Sequence, residues 1–316
     1  MTSIWRCSDM PAQTGRESAE QDSFALMAPA GILALLFFLL PIAIIVLMSL
    51  TNVSTDTGFS GWSWVGLGNY ARILNHPATG QHLWITLKYV AVTLVFFNVG
   101  LGLVIALLTT SIGSRGGALF RALWLLPRIT PSVIYVIMWK YLGADAPYGF
   151  FNTVLVPLGV EPQNWVAAQP FLFVVLVNGF IGASFGMIIF TSAIESIPQD
   201  YLRAAMLDGA NYLQRVRHIM LPMIKWPLLF VLTFQTLSLL TSFEQIMILN
   251  DGAGGMEVWP LWAYHTALDN YYGNFRWGFG AALASVLVAI GVVFCWAYLK
   301  LFKFDELVAR PRIDAV

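Results

Sequence analysis

Long apolar runs separated by short polar ones dominate the chain. A helix that crosses a bilayer needs about 20 predominantly apolar residues, and six stretches meet that length. They are 24–50 (FALMAPAGILALLFFLLPIAIIVLMSL), 86–109 (through VAVTLVFFNVGLGLVIALL), 120–142 (FRALWLLPRITPSVIYVIMWKYL), 170–192 (PFLFVVLVNGFIGASFGMIIFTS), 224–249 and 278–302 (GFGAALASVLVAIGVVFCWAYLKLF). The first carries no charge. The third contains Arg121, Arg128 and Lys140, and Pro127 and Pro131 predict a kink in it. The fifth has Lys225 at its mouth and Glu244 near its far end. The pattern predicts an all-α integral membrane protein of six transmembrane helices over 24–302, with polar tails at 1–23 and 303–316.

Composition supports the same class. The chain is 58% hydrophobic and only 11% charged, against about 25% charged in a soluble domain. A formal net charge of zero gives no bulk attraction to nucleic acid. Cys7 and Cys295 stand at opposite ends of the chain, a spacing that suggests neither a metal site nor a disulfide framework. Residues 1–23 lack the apolar core of a signal peptide and read as a cytoplasmic tail.

Lysine and arginine set the orientation. With the N-terminus inside, the cytoplasmic side holds Arg6, Arg16, Arg115, Arg121, Arg128, Arg203, Arg215, Arg217, Lys225, Lys300, Lys303, Arg310 and Arg312, and the outer side holds Arg72, Lys88, Lys140 and Arg276. Thirteen of the 17 basic residues therefore lie inside, which predicts an N-in, C-in chain. The loops at 51–85 and 143–169, rich in Gly, Trp, Tyr and Asn, face outward. They read either as aromatic interfacial belts or as a folded surface that meets an extracytoplasmic partner.

The one long cytoplasmic loop, between the fourth and fifth spans, carries RAAMLDGANYLQRVRHIMLP at 203–222. Ser196-Ile-Pro-Gln199 fits a capping box, so a helix is expected over 197–208. Gly209 can take the left-handed conformation that ends it. A second amphipathic turn, NYLQRVRHIM, follows, and Leu221-Pro222 is expected to open the fifth span. On physics alone this elbow is either a juxtamembrane helix whose arginines meet anionic lipid or a docking surface for another protein.

The loop resembles the cytoplasmic signature of ABC importer permeases: E-A-A, three residues, Gly, nine residues, Ile-x-Leu-Pro. Here Ala204-Ala205 precede Gly209 by that spacing, Asp208-Gly209-Ala210 matches the D-G-A form, and Ile219 and Leu221-Pro222 close the pattern. Arg203 stands where the family has Glu, which removes any ion pair borrowed from that Glu. The third span and the Gly-rich ILNDGAGGMEVWPLWAYHTAL are similar to the carbohydrate branch and its maltose-type permeases. The resemblance implies a type I ABC importer permease fold in a bacterial inner membrane. The first helix of the loop would be a coupling helix, with Arg203, Ala204, Ala205, Asp208, Gly209, Ala210, Ile219, Leu221 and Pro222 serving coupling to an ATPase. It also implies a paralogous permease subunit, two cytoplasmic ATP-binding subunits, an extracytoplasmic solute-binding protein and a sugar-like solute. The chain has no G-x-x-x-x-G-K-[ST] phosphate loop and no Gly-Lys pair. No catalytic residue, metal site or cofactor is expected on it, and ATP and Mg belong to the partner ATPase.

Polar residues inside spans are costly and are candidates for a pathway. Asn178, Gly182 and Phe185 share one face of the fourth span. Gln235, Ser238, Ser242 and Gln245 share one face of the fifth, flanked by Thr241 and Glu244. The same spacing also serves helix–helix packing. Two other readings remain open at this level: an ion-coupled secondary transporter, which would carry intramembrane acids at mid-depth, and a membrane scaffold without transport.

Overall fold

A computed structural model describes residues 27–269 and 273–302. Both expected tails, residues 24–26 of the first stretch, and Arg6, Cys7, Arg16, Lys303, Arg310 and Arg312 lie outside the described residues. Within them the chain is helical, with a single isolated antiparallel bridge between Thr51 and Trp64. In chain order the helices are α1 (Met27–Ser49), α2 (Gly68–Asn75), α3 (Thr79–Ser111), α4 (Ser114–Ile129), α5 (Ser132–Leu142), α6 (Phe150–Leu155), α7 (Trp165–Ala168) and α8 (Pro170–Glu195), followed by α9 (Gln199–Leu207), α10 (Tyr212–Met223), α11 (Lys225–Thr241), α12 (Glu244–Asn250), α13 (Trp259–Ala267) and α14 (Trp277–Leu301).

Four of these, α1, α3, α8 and α14, are long and apolar enough to cross a membrane, and the count reaches six if the bent pairs α4–α5 and α10–α11 each make one span. The α4–α5 bend is 99°. It falls at Thr130-Pro131, where both residues are extended, because proline disfavours helical geometry in the residue before it. Pro127, expected to share in the kink, stays inside α4. The α10–α11 bend is 70°. Pro227 lies in the first turn of α11, where its missing N–H is tolerated, but it cannot bond the Met223 carbonyl behind it. The fifth apolar stretch therefore begins at Lys225 rather than at Leu221-Pro222, which sit in α10. The same stretch also ends early: α11 stops at Thr241, Ser242 is extended, and α12 starts afresh at Glu244.

The tightest crossing joins α3 to α8. A Cβ on Gly179 would meet the Phe97 ring at 2.3 Å, one on Gly182 the Asn98 amide at 2.0 Å, and one on Gly186 the Asn98 carbonyl at 2.0 Å. Glycines at i, i+3 and i+7 leave a groove into which the neighbouring helix sinks, which is how apolar helices pack inside a bilayer.

Two cores result. The larger gathers α3, α5, α8, α11, α12, α13 and α14 around Trp259, whose indole donates to the Leu283 carbonyl at 2.9 Å. The smaller sits at the other end of α8. There Phe190, Ile194 and Ile197 pack with Ala106, Leu202, Val216, Met220, Ile224 and Val231.

The loop at 143–169 is folded, as expected. Buried Asn152 donates to the Ala144 and Gln163 carbonyls, both at 2.8 Å, and its Oδ1 accepts from the Trp165 indole at 3.0 Å.

Candidate coupling elbow and pathway residues

The elbow comprises α9, a turn at 208–211, and α10. The expected capping box at Ser196 does not form. Ser196 still has helical backbone angles at the end of α8, and its hydroxyl donates back to the Ala193 carbonyl at 2.7 Å. An N-cap residue must itself be extended, and that position falls to Pro198. The capping box occurs instead at the head of α10: Gln214 N donates to Asn211 Oδ1, and Asn211 N to Gln214 Oε1, both at 2.8 Å.

The end of α9 follows the expectation for Gly209. Its φ is +80°, its N–H bonds the Met206 carbonyl at 3.1 Å, and the Ala210 N–H reaches Ala205 O at 2.9 Å. These are the two bonds of a Schellman motif. The turn ends α9 within a few residues of the start of α10.

One side of this pair is anchored. Leu202, Val216 and Met220 are buried in the smaller core, with Ile219 and Leu221 packed against it. The Tyr212 hydroxyl donates to the Leu107 carbonyl at 3.1 Å, and Arg121 on α4 meets Glu195 at 3.4 Å. The other side is bare. Arg203, Ala204, Asp208, Gly209 and Pro222 are exposed, and Ala205 and Ala210 are half-buried. Among the apolar side chains Leu207 is 90% exposed, and Tyr201 and Met206 are exposed as well. Arg203 lies 3.8 Å from Asp200, an exposed pair that contributes little to stability.

The expected pathway residues divide into two groups. Gly182 is the seat for Asn98, and buried Gln235 donates from Nε2 to the Gly182 carbonyl at 3.0 Å. Asn178 is also buried and bonds Val174 O at 3.4 Å. These three lie between helices of this chain. Ser238, Thr241 and Glu244 are exposed. The single face expected for Gln235, Ser238, Ser242 and Gln245 is broken at Ser242-Phe243, so Gln245 belongs to a different helix. The break has local causes: Thr241 Oγ1 bonds back to Leu237 O at 3.0 Å, and Ser242 Oγ donates to Gln245 Oε1 at 2.8 Å. Such side-chain bonds compete with the helix ladder. Ser132, just past the α4–α5 bend, donates to Glu244 Oε1 at 3.2 Å, which ties the two breaks together.

Beside them Phe185, expected in the pathway, joins a group whose other members the polar pattern did not single out. The Arg128 guanidinium lies over the Phe185 ring at 5.2 Å. Phe185 stacks on Phe234 at 4.9 Å, and Phe234 on Phe230 at 6.0 Å. Arg128, assigned above to the cytoplasmic surface by sequence position, thus sits over a residue near the middle of α8. The available signal was a phenylalanine pair at i, i+4 on α11 facing an arginine inside an apolar stretch.

The Gly-rich loop after α12 is held from within. His265 Nδ1 lies 2.9 Å from Glu257 Oε1, and its Nε2 lies 3.0 Å from Asp251 Oδ1. Burial lowers the imidazole pKa, but the hydrogen bonds and charges of Glu257 and Asp251 outweigh it, and the net shift is upward. His82 reinforces the loop through the Glu257 carbonyl at 2.8 Å. Among the described residues no set of three or more His, Cys, Asp or Glu side chains is arranged to hold a metal ion.

The family described as binding-protein-dependent transport system inner membrane component matches residues 98–303, which include the whole elbow. The chain belongs to this family. It is a multi-pass membrane transport component and not an enzyme. Its relatives include the trehalose/maltose transport system permease protein MalF of Thermococcus litoralis, 29% identical over 76% of this chain and 80% of that one. The trehalose transport system permease protein SugA of Mycobacterium tuberculosis is 30% identical over 92% of both chains. In fold, the chain is similar to a subunit of a bacterial ABC transporter that imports the acidic polysaccharide alginate, with a TM-score of 0.77, 19% identity, and coverage of 92% of this chain and 99% of that one.

Proposed function

We propose that this chain is one permease subunit of an ATP-driven importer and forms half of the pathway for a sugar or sugar-like solute. In this reading the polypeptide crosses the bilayer six times, with both termini in the cytoplasm; α4–α5 counts as one span and α11 with α12 as another, while α10 stays with the elbow. A solute-binding protein delivers the solute on the outer side, a paralogous permease completes the pathway, and two ATPase subunits bind ATP and Mg below. The relatives that transport trehalose and maltose support the sugar class.

The observation that carries the mechanism is the two-sided elbow. One side of α9–α10 is locked into the ends of α3, α8 and α11, and elsewhere on it Leu207, Tyr201 and Met206 are exposed among the described residues. A partner that grips the bare side moves the anchored side, and the helices follow as rigid bodies. Ser238, Thr241 and Glu244 remain available to a solute, while Gln235, Gly182 and Asn178 act through packing.

The test is purification of the complex in mild detergent with its ATPase. Co-purification is expected to be lost on Gly209→Pro and on a charge at Ala205, with membrane insertion unchanged. ATP-dependent uptake that persists after removal of 197–222, or uptake driven by an ion gradient through the isolated chain, would refute the reading and favour a secondary transporter.

A further inference from the structure

We infer that Arg128, set on the Phe185–Phe234–Phe230 stack, is a station for an anionic group on the transported solute: a carboxylate, sulfonate or phosphate carried by a sugar ring. This rests on the transport reading above and narrows its solute class.

Depth is the first argument. Phe185 is the sixteenth of the 26 residues of α8. The helix is about 39 Å long, and Phe185 lies about 15 Å from its nearer end. That places the guanidinium within the hydrocarbon zone of about 30 Å, where a charge is expensive and is kept for function.

Charge balance is the second argument. Among the described residues no carboxylate lies within ion-pair distance of Arg128. The neighbouring acid, Glu244, accepts instead from Ser132. A ring face attracts the cation but does not neutralise it. A neutral solute passing this point leaves the charge uncompensated. An anionic one pairs with it through the planar fork of the guanidinium, which matches the oxygens of carboxylates, sulfonates and phosphates.

Shape is the third argument. Phe230 and Phe234 are each about half exposed, and with Phe185 they form a triangular cluster of rings, with planes 20°, 18° and 32° apart and centroids 4.9, 6.0 and 6.2 Å apart. Flat apolar faces beside one fixed polar group are the usual ingredients of a small-molecule site. The rings suit the C–H face of a pyranose, and the guanidinium suits its acidic substituent. The station lies on the elbow side of Ser238, Thr241 and Glu244, because Phe230 and Phe234 precede them along α11 from its elbow end. A solute moving from the outer side toward the elbow meets it second.

The complete transporter, purified with its ATPase in phosphatidylcholine nanodiscs, tests this by direct titration. Tryptophan fluorescence is the readout, since Trp124 stands one helical turn from Arg128 on α4. The probes are galacturonate, its methyl ester and galactose. Galacturonate is expected to bind at least about tenfold tighter than the other two, a gap of about 1.4 kcal/mol. Arg128→Gln should erase the gap by weakening galacturonate alone, and Phe185→Leu should weaken all three.

Equal affinities for galacturonate and its ester in the unmodified complex would overturn the inference, and this comparison needs no variant to fold. A preference that survives Arg128→Gln would also overturn it. If phosphatidylglycerol in the nanodisc displaces galacturonate, the anion at Arg128 is a lipid phosphate and the solute station is refuted. ATPase stimulation is measured in the same samples. A complex without nucleotide coupling sinks the transport reading, whereas a coupled complex with equal affinities sinks only the station.

Discussion

Two loops flank the fifth apolar stretch, and both rely on backbone in the left-handed region. At the elbow, a single glycine with φ +80° closes a Schellman turn. At 251–257, Asp251, Gly252, Gly254 and Gly255 all have positive φ. The loops differ in what satisfies their side chains. The 251–257 loop is held within the chain, with His265 bridging Asp251 and Glu257 across its two ends. The elbow is half complete: its inner side is buried, and its outer side leaves Leu207 almost wholly in solvent. Exposed large apolar side chains beside a tight turn are suited to a protein partner, whereas a loop clamped by its own ion pairs keeps its shape unaided.

The strongest way to break this comparison is Leu207→Glu. No packing in this chain is lost, so the melting temperature should stay put. Placing a charge in a docked interface centre costs about 2 kcal/mol or more, so affinity for the ATPase should fall about thirtyfold, read by co-purification or by binding of the isolated ATPase. Unchanged affinity would mean that the bare side is not the docked side. Gly209→Val comes next. A β-branched residue at φ +80° costs about 1–3 kcal/mol, and thermal unfolding of the complex should shift downward along with coupling. Asn211→Ala removes the capping box at the head of α10 and should cost about 1 kcal/mol, visible as faster amide exchange over 211–216 with little change elsewhere.

The smallest effect belongs to the 251–257 loop and depends on pH. The folded pKa of His265 is raised. Its contribution is therefore fully present below the ordinary histidine value of about 6.5 and is lost as pH rises through the raised folded value. Proteolytic nicking at 251–257 should accelerate on going from acid to alkaline pH, while nicking of the elbow should not. His265→Gln should flatten that dependence, and a loop equally resistant at both pH values in the unmodified protein would remove the clamp from the account.

Much of this was legible in the chain. Helix class, the apolar stretches and the Gly209 turn follow from local composition and spacing. The failures share one character. The box at Ser196 was misplaced because a preceding helix had not yet ended there, so the hydroxyl bonded backward. The stripe from Gln235 to Gln245 assumed one unbroken helix, and the helix stops at Thr241, where Ser242 turns extended and its hydroxyl bonds the Gln245 side chain. Gly182 matched a pathway by helical spacing, yet it faces Asn98 of α3, and spacing within one helix cannot say which neighbour lies opposite.

The sequence by itself determined that this polypeptide is a multi-pass membrane protein, where its long apolar stretches lie, and that one loop turns at Gly209. Those properties depend on residues near each other along the chain. Only the tertiary structure decided which face of each helix is covered, that Leu207 is bare while Ile219 and Leu221 are not, and that Arg128 lies over the ring of Phe185. Burial and charge pairing are set by contacts between distant segments, and hydrophobic periodicity carries no record of the partner.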